Sequence, residues 1–363
     1  MHQILIFKSE LHIFILIYMR KIIIFLLVAL TANVMAQEKK YNVYGVGFYN
    51  LENLFDTCHD EGKNDYEYLA NGTNKWNGMK YESKLANMSR VLSEMGTDLL
   101  KNIGCAVIGV SEVENARALS DLVAQPPLAA RGFKFCHVEG PDRRGVDCAL
   151  LYNPKYFTPT DVHLYPYVQK LEKDSGFVTR GFLTVKGSIA DEKLAVIVCH
   201  LPSRAASSFY REQGAEQVRN LKDSLIAAEP DLKVIVMGDM NDDPGDPSMA
   251  KSLRARKKIS DVGDKDMFNP WWKTLSDGNG TIKYDGGYNL FDQIILSPSL
   301  LCRNGEKDYT TLKYLKHQIF QRNYMLQQDG KRKGYPLRTF SGGVWLNGFS
   351  DHLPTIVYLV KQQ

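Results

Sequence analysis

None of the six cysteines of this 363-residue chain stands in a CxxC pair, which excludes a zinc ribbon or a thioredoxin-type redox motif. Metal chemistry here must therefore use oxygen and imidazole ligands. Cys105, Cys148 and Cys199 lie in or beside apolar runs, where an unpaired thiol behaves as a small buried hydrophobe. An uninterrupted apolar run of about twenty residues, the length of a membrane-spanning helix, is also lacking, because Arg20 and Lys21 split the apolar N-terminal region in two. Internal repeats, low-complexity stretches and Pro/Ser-rich linkers are absent too, so the chain reads as one domain behind a leader.

That leader is read from Arg20-Lys21, the apolar run 22–30 and the small-residue stretch Val34-Met35-Ala36, the pattern of a signal peptide. Residues 1–36 are expected to be removed on export, leaving residues 37–363 in the periplasm or outside the cell with no stable membrane insertion. Met19 directly precedes the basic pair and is a candidate for the true start; one long hydrophobic anchor is the competing reading. No cysteine follows Ala36, so the sequence offers no site for a lipoprotein lipid. Charge of one sign is scarce as well. With the leader go Lys8, Arg20, Lys21 and Glu10, and 45 basic and 41 acidic residues become 42 and 40. Near-neutrality argues against a protein that coats nucleic acid, not against an enzyme with a local basic cleft.

What is abundant is apolar sequence in short runs. Hydrophobic residues make up 44% of the chain, enough to supply a full core. The runs 43–49, 105–110, 148–152, 194–199, 234–237, 294–296 and 355–360 each read as a buried strand. Tyr81, Leu85, Met88, Leu92 and Met95 share one helical face, and Val218, Leu221 and Leu225 share another. Strands inside with helices outside follow from that pattern. Segments 57–79, 264–288 and 302–347 read as long loops, where substrate selection usually sits.

The polar residues that terminate these runs carry the chemistry. Asn50, Glu112 and His200 each follow a strand, Asp239 and Asn241 follow another, and Asp351-His352 precedes the last run. Carboxylates and carboxamides without thiolates suit a hard cation, Mg²⁺ first and Mn²⁺ or Ca²⁺ as alternatives, with Glu112 the leading ligand. Hydrolysis of a phosphodiester needs charge neutralisation and an aligned water. Asp239 is suited to accept the water's proton, Asn241 to contact a phosphate oxygen, and His352 to donate to the transition state with Asp292 holding its tautomer.

FYNLENLFD (48–56), GVSEVEN (109–115), RRGVDCALLY (143–152), CHLPSR (199–204), GDMNDDP (238–244), FDQIILS (291–297) and SDHLP (350–354) occur in that order. Together they resemble the endonuclease/exonuclease/phosphatase family, over residues 43–360. The resemblance implies an α+β fold, a four-layered αββα sandwich of two mostly antiparallel sheets flanked by helices, and divalent-metal phosphoester hydrolysis. It assigns Asn50 and Glu112 to metal and phosphate, Asp239 and Asn241 to the nucleophilic water, Asp351 to the metal or its support, and His352 with Asp292 to the transition state. His200 places the chain nearer pancreatic deoxyribonuclease-like members, with Asp147 as its expected partner. Arg143, Arg144, Arg204 and Arg211 are candidate phosphate contacts, and HLPSR followed by Arg211 resembles secreted bacterial nucleases, making nucleic acid the expected partner.

Each residue also has a plainer reading. Asn50 alone could close a turn, GDMNDDP could be an acidic turn, and Glu112 and Glu114 could be first-turn helix acids. Their ordered coincidence favours the chemical reading, with Glu114 left structural and His59, His137, His163 and His317 without a role. Sphingomyelin or phosphorylated inositols are rival substrates, to which only Trp271-Trp272 lends an aromatic surface. A non-catalytic binding module is the rival from another class.

Overall fold

Residues 14–24, 39–170, 176–303, 305 and 307–363 are described by the computed structural model. Of the expected leader only 14–24 falls among them, as helix; Ala36 lies outside the described residues. No helix among the described residues is long and apolar enough to cross a membrane. Residues 42–361 form one compact unit, built around two sheets.

The N-terminal half supplies strands β1 (Tyr41–Leu54), β2 (Cys105–Val113), β3 (Lys134–His137) and β4 (Asp147–Tyr152). Next come β5 (Phe157–Tyr165), β6 (Phe182–Ile189), β7 (Glu192–His200) and β8 (Lys233–Asp239). The short strands β9 (Ala255–Arg256) and β10 (Met267–Phe268) precede a hairpin of β11 (Ile282–Tyr284) and β12 (Gly287–Asn289). Then come β13 (Asp292–Leu296), β14 (Lys313–Ile319), the small pair β15 (Phe340–Ser341) and β16 (Val344–Trp345), and β17 (Thr355–Gln362). The longer helices are α1 (Gly78–Glu94), α2 (Ala116–Ala124) and α3 (Ser208–Ala228). Their N-termini are capped by the side chains of Asn77, Asn115 and Ser207, each accepting an N–H that the helix leaves unpaired.

One sheet runs β14-β17-β1-β2-β4-β3 and the other β5-β6-β7-β8-β13-β10-β9. Most pairings are antiparallel, but β1 with β2, β7 with β8 and the short β9 with β10 are parallel. A parallel pair requires a long crossover, and α1 and α3 lie in the first two.

Alternation along the strands sorts the apolar side chains into layers. Val46, Phe48, Val107 and Leu150 of the first sheet share an inner core with Val196, Val198, Ile235 and Met237 of the second. On the outer face of the first sheet, Tyr49, Ile108 and Val110 meet Leu85, Met88 and Leu92 of α1 and Leu119 and Leu122 of α2. Ala195, Ile197, Val234 and Val236 meet Val218 and Leu225 of α3 on the outer face of the second. The layers are thus helix, sheet, sheet, helix. At Gly109 the sheets approach closely, since a Cβ there would lie 2.5 Å from the Met237 sulfur.

All seven apolar runs lie within strands. The expected loops at 264–288 and 302–347 are corrected in part: they contain β10, the β11–β12 hairpin, β14 and the β15–β16 pair. β14 (KYLKHQI) and β5 (FTPTDVHLY) end their sheets and keep polar residues, lysine or proline along their length, as edge strands do to avoid unwanted pairing. That composition hides them from a search for apolar runs.

Candidate active site

Strand register brings the site together. Parallel pairing of β1 with β2 sets Asn50 beside Ser111, so Glu112 emerges at the same edge. Parallel pairing of β7 with β8 sets His200 opposite Asp239, and antiparallel pairing of β8 with β13 sets Asp292 opposite the same Asp239. Asp239 is therefore the hub. Asn50 spans the two sheets: its Nδ2 donates to Glu112 Oε1 at 3.2 Å and to Asp239 Oδ2 at 3.0 Å. Ser350 Oγ donates to the Asn50 carbonyl at 2.7 Å and accepts the His352 N–H at 3.1 Å, which ties the approach to β17 to the end of β1.

The backbone here is held in an unfavourable region. Glu52, Asn53, Glu112 and Asn241 have φ of 48°, 54°, 59° and 50°, a conformation that costs a non-glycine residue about 1–3 kcal/mol and clusters at functional sites. Local bonds hold it in place. Glu112 Oε2 accepts the Asn53 N–H at 3.1 Å, Asp239 Oδ1 accepts the Asn241 N–H at 2.9 Å, and Asn241 Nδ2 donates to the Leu201 carbonyl at 3.0 Å.

His352 Nδ1 lies 2.7 Å from Asp292 Oδ2, both side chains being buried. Burial opposes a charge on His352, yet Asp292 and Asp239 hold its pKa well above the usual histidine value. The two carboxylates thus favour the protonated form of His352, whose Nε2 faces Asp239 Oδ2 at 3.8 Å. Burial raises the pKa of Asp239 above the carboxylate range, with Asp292 and Glu112 adding to the effect against His352. His200 is driven the other way, to the neutral form, by burial and by the charges of Arg180, Arg144 and His352. Its Nε2 lies 3.7 Å from Glu112 and 3.6 Å from Asp239, while its buried Nδ1 has no partner among the described residues.

These groups fit a divalent cation. Glu112, His200 and Asp239 bring one ligand atom each within 4.8 Å of one another, as do Asp239, Asp292 and His352. The first set is the better match, because in it Glu112 and His200 offer a carboxylate and a neutral imidazole, the form that can coordinate, with Asp239 beside them. In the second set the imidazole carries a proton. Asn50 and Asp351, expected as ligands, stand differently: the Asn50 carboxamide oxygen accepts the Glu52 N–H at 2.9 Å, and Asp351 Oδ2 accepts from Arg338 at 2.8 Å.

Three expectations are corrected. Asp147 does not pair with His200; its carboxylate lies 3.0 Å from His137 Nε2 and accepts the Gly140 N–H, because β3 and β4 are neighbours in the first sheet. Arg211 is buried, ion-paired to Asp242 at 2.8 Å, and donates to the carbonyls of Pro202, Ser203 and Ala206, so it braces the turn after β7. Arg204 is held by Asp243, Asp246 and the Asn241 carbonyl. Of the other arginines, Arg143 donates to the Gly176 carbonyl, whereas Arg144 reaches Asn53 Oδ1 at 3.5 Å on the rim. Trp271 is fully buried and donates to the Ile294 carbonyl, which removes it from any exposed aromatic surface.

Sequence reasoning missed a buried ionic group behind the site. Glu52 accepts from Arg338 Nε at 3.0 Å and from the Thr339 N–H at 2.7 Å. Lys84, fully buried on α1, donates to Thr339 Oγ1 and the Phe349 carbonyl. Glu52 could have been singled out inside FYNLENLFD; nothing in the spacing marks Lys84 or Arg338. Arg180, held by Asp142 at 3.2 Å, was also missed, in a stretch without a motif.

The sequence model described as "Endonuclease/Exonuclease/phosphatase family" matches residues 45–361. No curated protein matches the chain. Among solved structures it is similar to ANGEL2, a 2′,3′-cyclic phosphatase, at 12% identity over 89% of this chain and 97% of that one, with a TM-score of 0.56. A mannosyl-6-phosphatase of Bacteroides thetaiotaomicron is similar at 14% identity over 87% and 99%, TM-score 0.53. D. rerio TDP2 complexed with single strand DNA product is similar at 14% identity over 88% and 99%, TM-score 0.51. At these identities the likeness is one of fold. The family match takes in every strand end from Asn50 to His352, and the chain belongs to the endonuclease/exonuclease/phosphatase family.

Proposed function

We propose that this protein is an exported, divalent-metal-dependent phosphodiester hydrolase that acts on nucleic acid. The observation that carries the reading is the position of Asp239, which stands between a carboxylate–imidazole pair fit for a cation, Glu112 and His200, and a cationic His352 backed by Asp292. A bound cation supplies charge neutralisation at the phosphate oxygens and the departing alkoxide. Asp239, ionised, accepts the proton of the attacking water as its oxygen bonds to phosphorus. His352, already protonated, donates from Nε2 to a non-bridging oxygen as charge accumulates there, and Asp292 fixes the ring and its charge. Asn50 spaces Glu112 from Asp239. Asn241 clamps the ends of β7 and β8 so that His200 and Asp239 keep their separation.

Nucleic acid is preferred over lipid because the aromatic pair at 271–272 is not an exposed platform and because Arg144 stands on the rim of the site. Purified protein would be assayed on plasmid DNA, RNA, sphingomyelin and bis(p-nitrophenyl) phosphate, each with Mg²⁺ or with a chelator. Chelator-sensitive cleavage of a polynucleotide is expected. Turnover of lipid alone, or of phosphomonoesters alone, overturns the nucleic-acid assignment, and silence on every substrate overturns the hydrolase. Export is tested separately, by finding whether the mature N-terminus isolated from cells is Gln37.

A further inference from the structure

Beside Asp351 opens a groove that none of the chemistry above uses. Its volume is about 690 Å³, and it lies between the β11–β12 hairpin and the segment 327–338. Arg338 and Asp351 form its inner end, and the hairpin is joined directly to the site: Ile282 bridges His352, and the Leu353 N–H donates to the Thr281 carbonyl at 2.7 Å.

The lining has one chemical character. Lys283, Lys331 and Arg332, the last donating to Ser341 Oγ at 2.8 Å, line the groove with Asp285 as the one further carboxylate among the described lining residues, since Asp351 is paired with Arg338, which also pairs with Glu52. Tyr284 is 79% exposed, an aromatic ring left in solvent beside cations. Tyr335 is fixed: its hydroxyl accepts the Gly286 N–H at 2.7 Å, and the Tyr288 hydroxyl donates to the Gly334 carbonyl at 3.3 Å. These two bonds lock hairpin and segment together. Lys283 sits 4.9 Å from both tyrosine rings.

On the reading that the adjoining site hydrolyses phosphodiesters, we propose that this groove binds the unpaired nucleic-acid strand extending from the scissile phosphate. Cations beside the exposed ring of Tyr284 match a single strand, whose bases offer their own faces for stacking while the backbone tracks the positive charge. Duplex bases are already stacked and present only phosphates. A lipid surface would call for an apolar hairpin tip, whereas this turn is Asp285-Gly286, flanked by Tyr284 and Gly287 with Lys283 one residue further back. The groove therefore selects substrates with a single-stranded segment next to the cleaved bond.

The test uses the full chain and a short fluorescein-labelled oligothymidylate, followed by anisotropy with chelator present so that binding is read without cleavage. Parallel arms use a duplex of the same length and anionic phospholipid vesicles. Tyr284→Ala is expected to weaken oligothymidylate binding at least about fivefold. The triple variant K283A/K331A/R332A is expected to flatten the slope of log affinity against log salt by about 2, each phosphate left without its cation accounting for about 0.7. Both variants should hydrolyse bis(p-nitrophenyl) phosphate in Mg²⁺ like the parent, which also shows that they fold. Oligothymidylate affinity within twofold of the parent in both variants overturns the groove, as does a parent that prefers duplex or vesicles. A parent that binds oligothymidylate through these residues yet hydrolyses no phosphodiester sinks the hydrolase reading and leaves the groove standing.

Discussion

The floor of the site and its wall are built on different physics. Asn50, Glu112, His200, Asp239 and Asp292 stand at strand ends, where ladder register fixes each position and both sheets exclude water. The wall, from the β11–β12 hairpin to the segment before Asp351, is fixed by side-chain bonds: Glu52 to Arg338, Lys84 to Thr339, Tyr335 to Gly286. Register tolerates changes of side chain without moving the backbone, so the floor is a place where chemistry can be removed and the fold kept. The wall has less independence, because its buried charges Glu52, Lys84 and Arg338 are also its fastenings.

The largest effect is expected on the floor. Asp239→Asn should lower kcat by about 10²–10⁴-fold, and His352→Ala by about 10²-fold or more, with the far-ultraviolet circular dichroism of the parent. A parent-like kcat in both variants would remove these residues from the chemistry and dissolve the distinction.

Next comes the wall. Lys84→Met should destabilise the fold by about 3 kcal/mol, because Thr339 Oγ1 and the carbonyl of Phe349 lose a buried donor and Glu52 loses a neighbouring cation; urea unfolding measures this. A stability unchanged within about 0.5 kcal/mol would show that the wall is not fastened there.

A third region calibrates the first two. His317 on β14, hydrogen-bonding with Tyr314 and Thr274, is held by burial at a pKa of about 4 against 6.5. The unfolded chain therefore takes up this proton more readily than the folded one. The contribution is fully present above pH 6.5 and is lost as pH falls toward 4, about 2 kcal/mol between pH 7 and pH 5. His317→Gln should flatten that segment of the stability profile; an unchanged slope would assign the acid sensitivity elsewhere. The smallest effect belongs to Arg143→Ala, less than about twofold in kcat/KM, since its guanidinium turns to the Gly176 carbonyl; a tenfold loss would bring Arg143 into the site.

The same division explains what the sequence made legible. Apolar runs that stop at Asn50, His200 and Asp239 reveal strand ends, and strand ends of parallel neighbours meet at one edge. The His352–Asp292 pair follows from two such ends and is seen at 2.7 Å. The wall left no comparable trace. Lys84 and Thr339 are 255 residues apart, and Glu52 and Arg338 are 286 apart, and no spacing rule links residues that meet only through a folded loop. Asp147 was matched to the wrong histidine for a related reason: its true neighbour, His137, lies on the short strand β3, whose four residues carry too little pattern to announce a pairing. Arg204 and Arg211 carried the charge expected of phosphate contacts, but the acidic loop 242–246 had already claimed them.

The single bridge between Ile282 and His352 sets a rule for redesign. Residues added at the root of the hairpin, beside Thr281, would shift the reading frame of that bridge and drag the histidine with it. Residues added at the turn, Asp285-Gly286, lie beyond the last rung; they disturb the Gly286 bond to Tyr335 but leave the bridge to His352 in register. Recognition in this enzyme scaffold can thus be extended from the turn outward, while the root of the hairpin behaves as part of the chemistry.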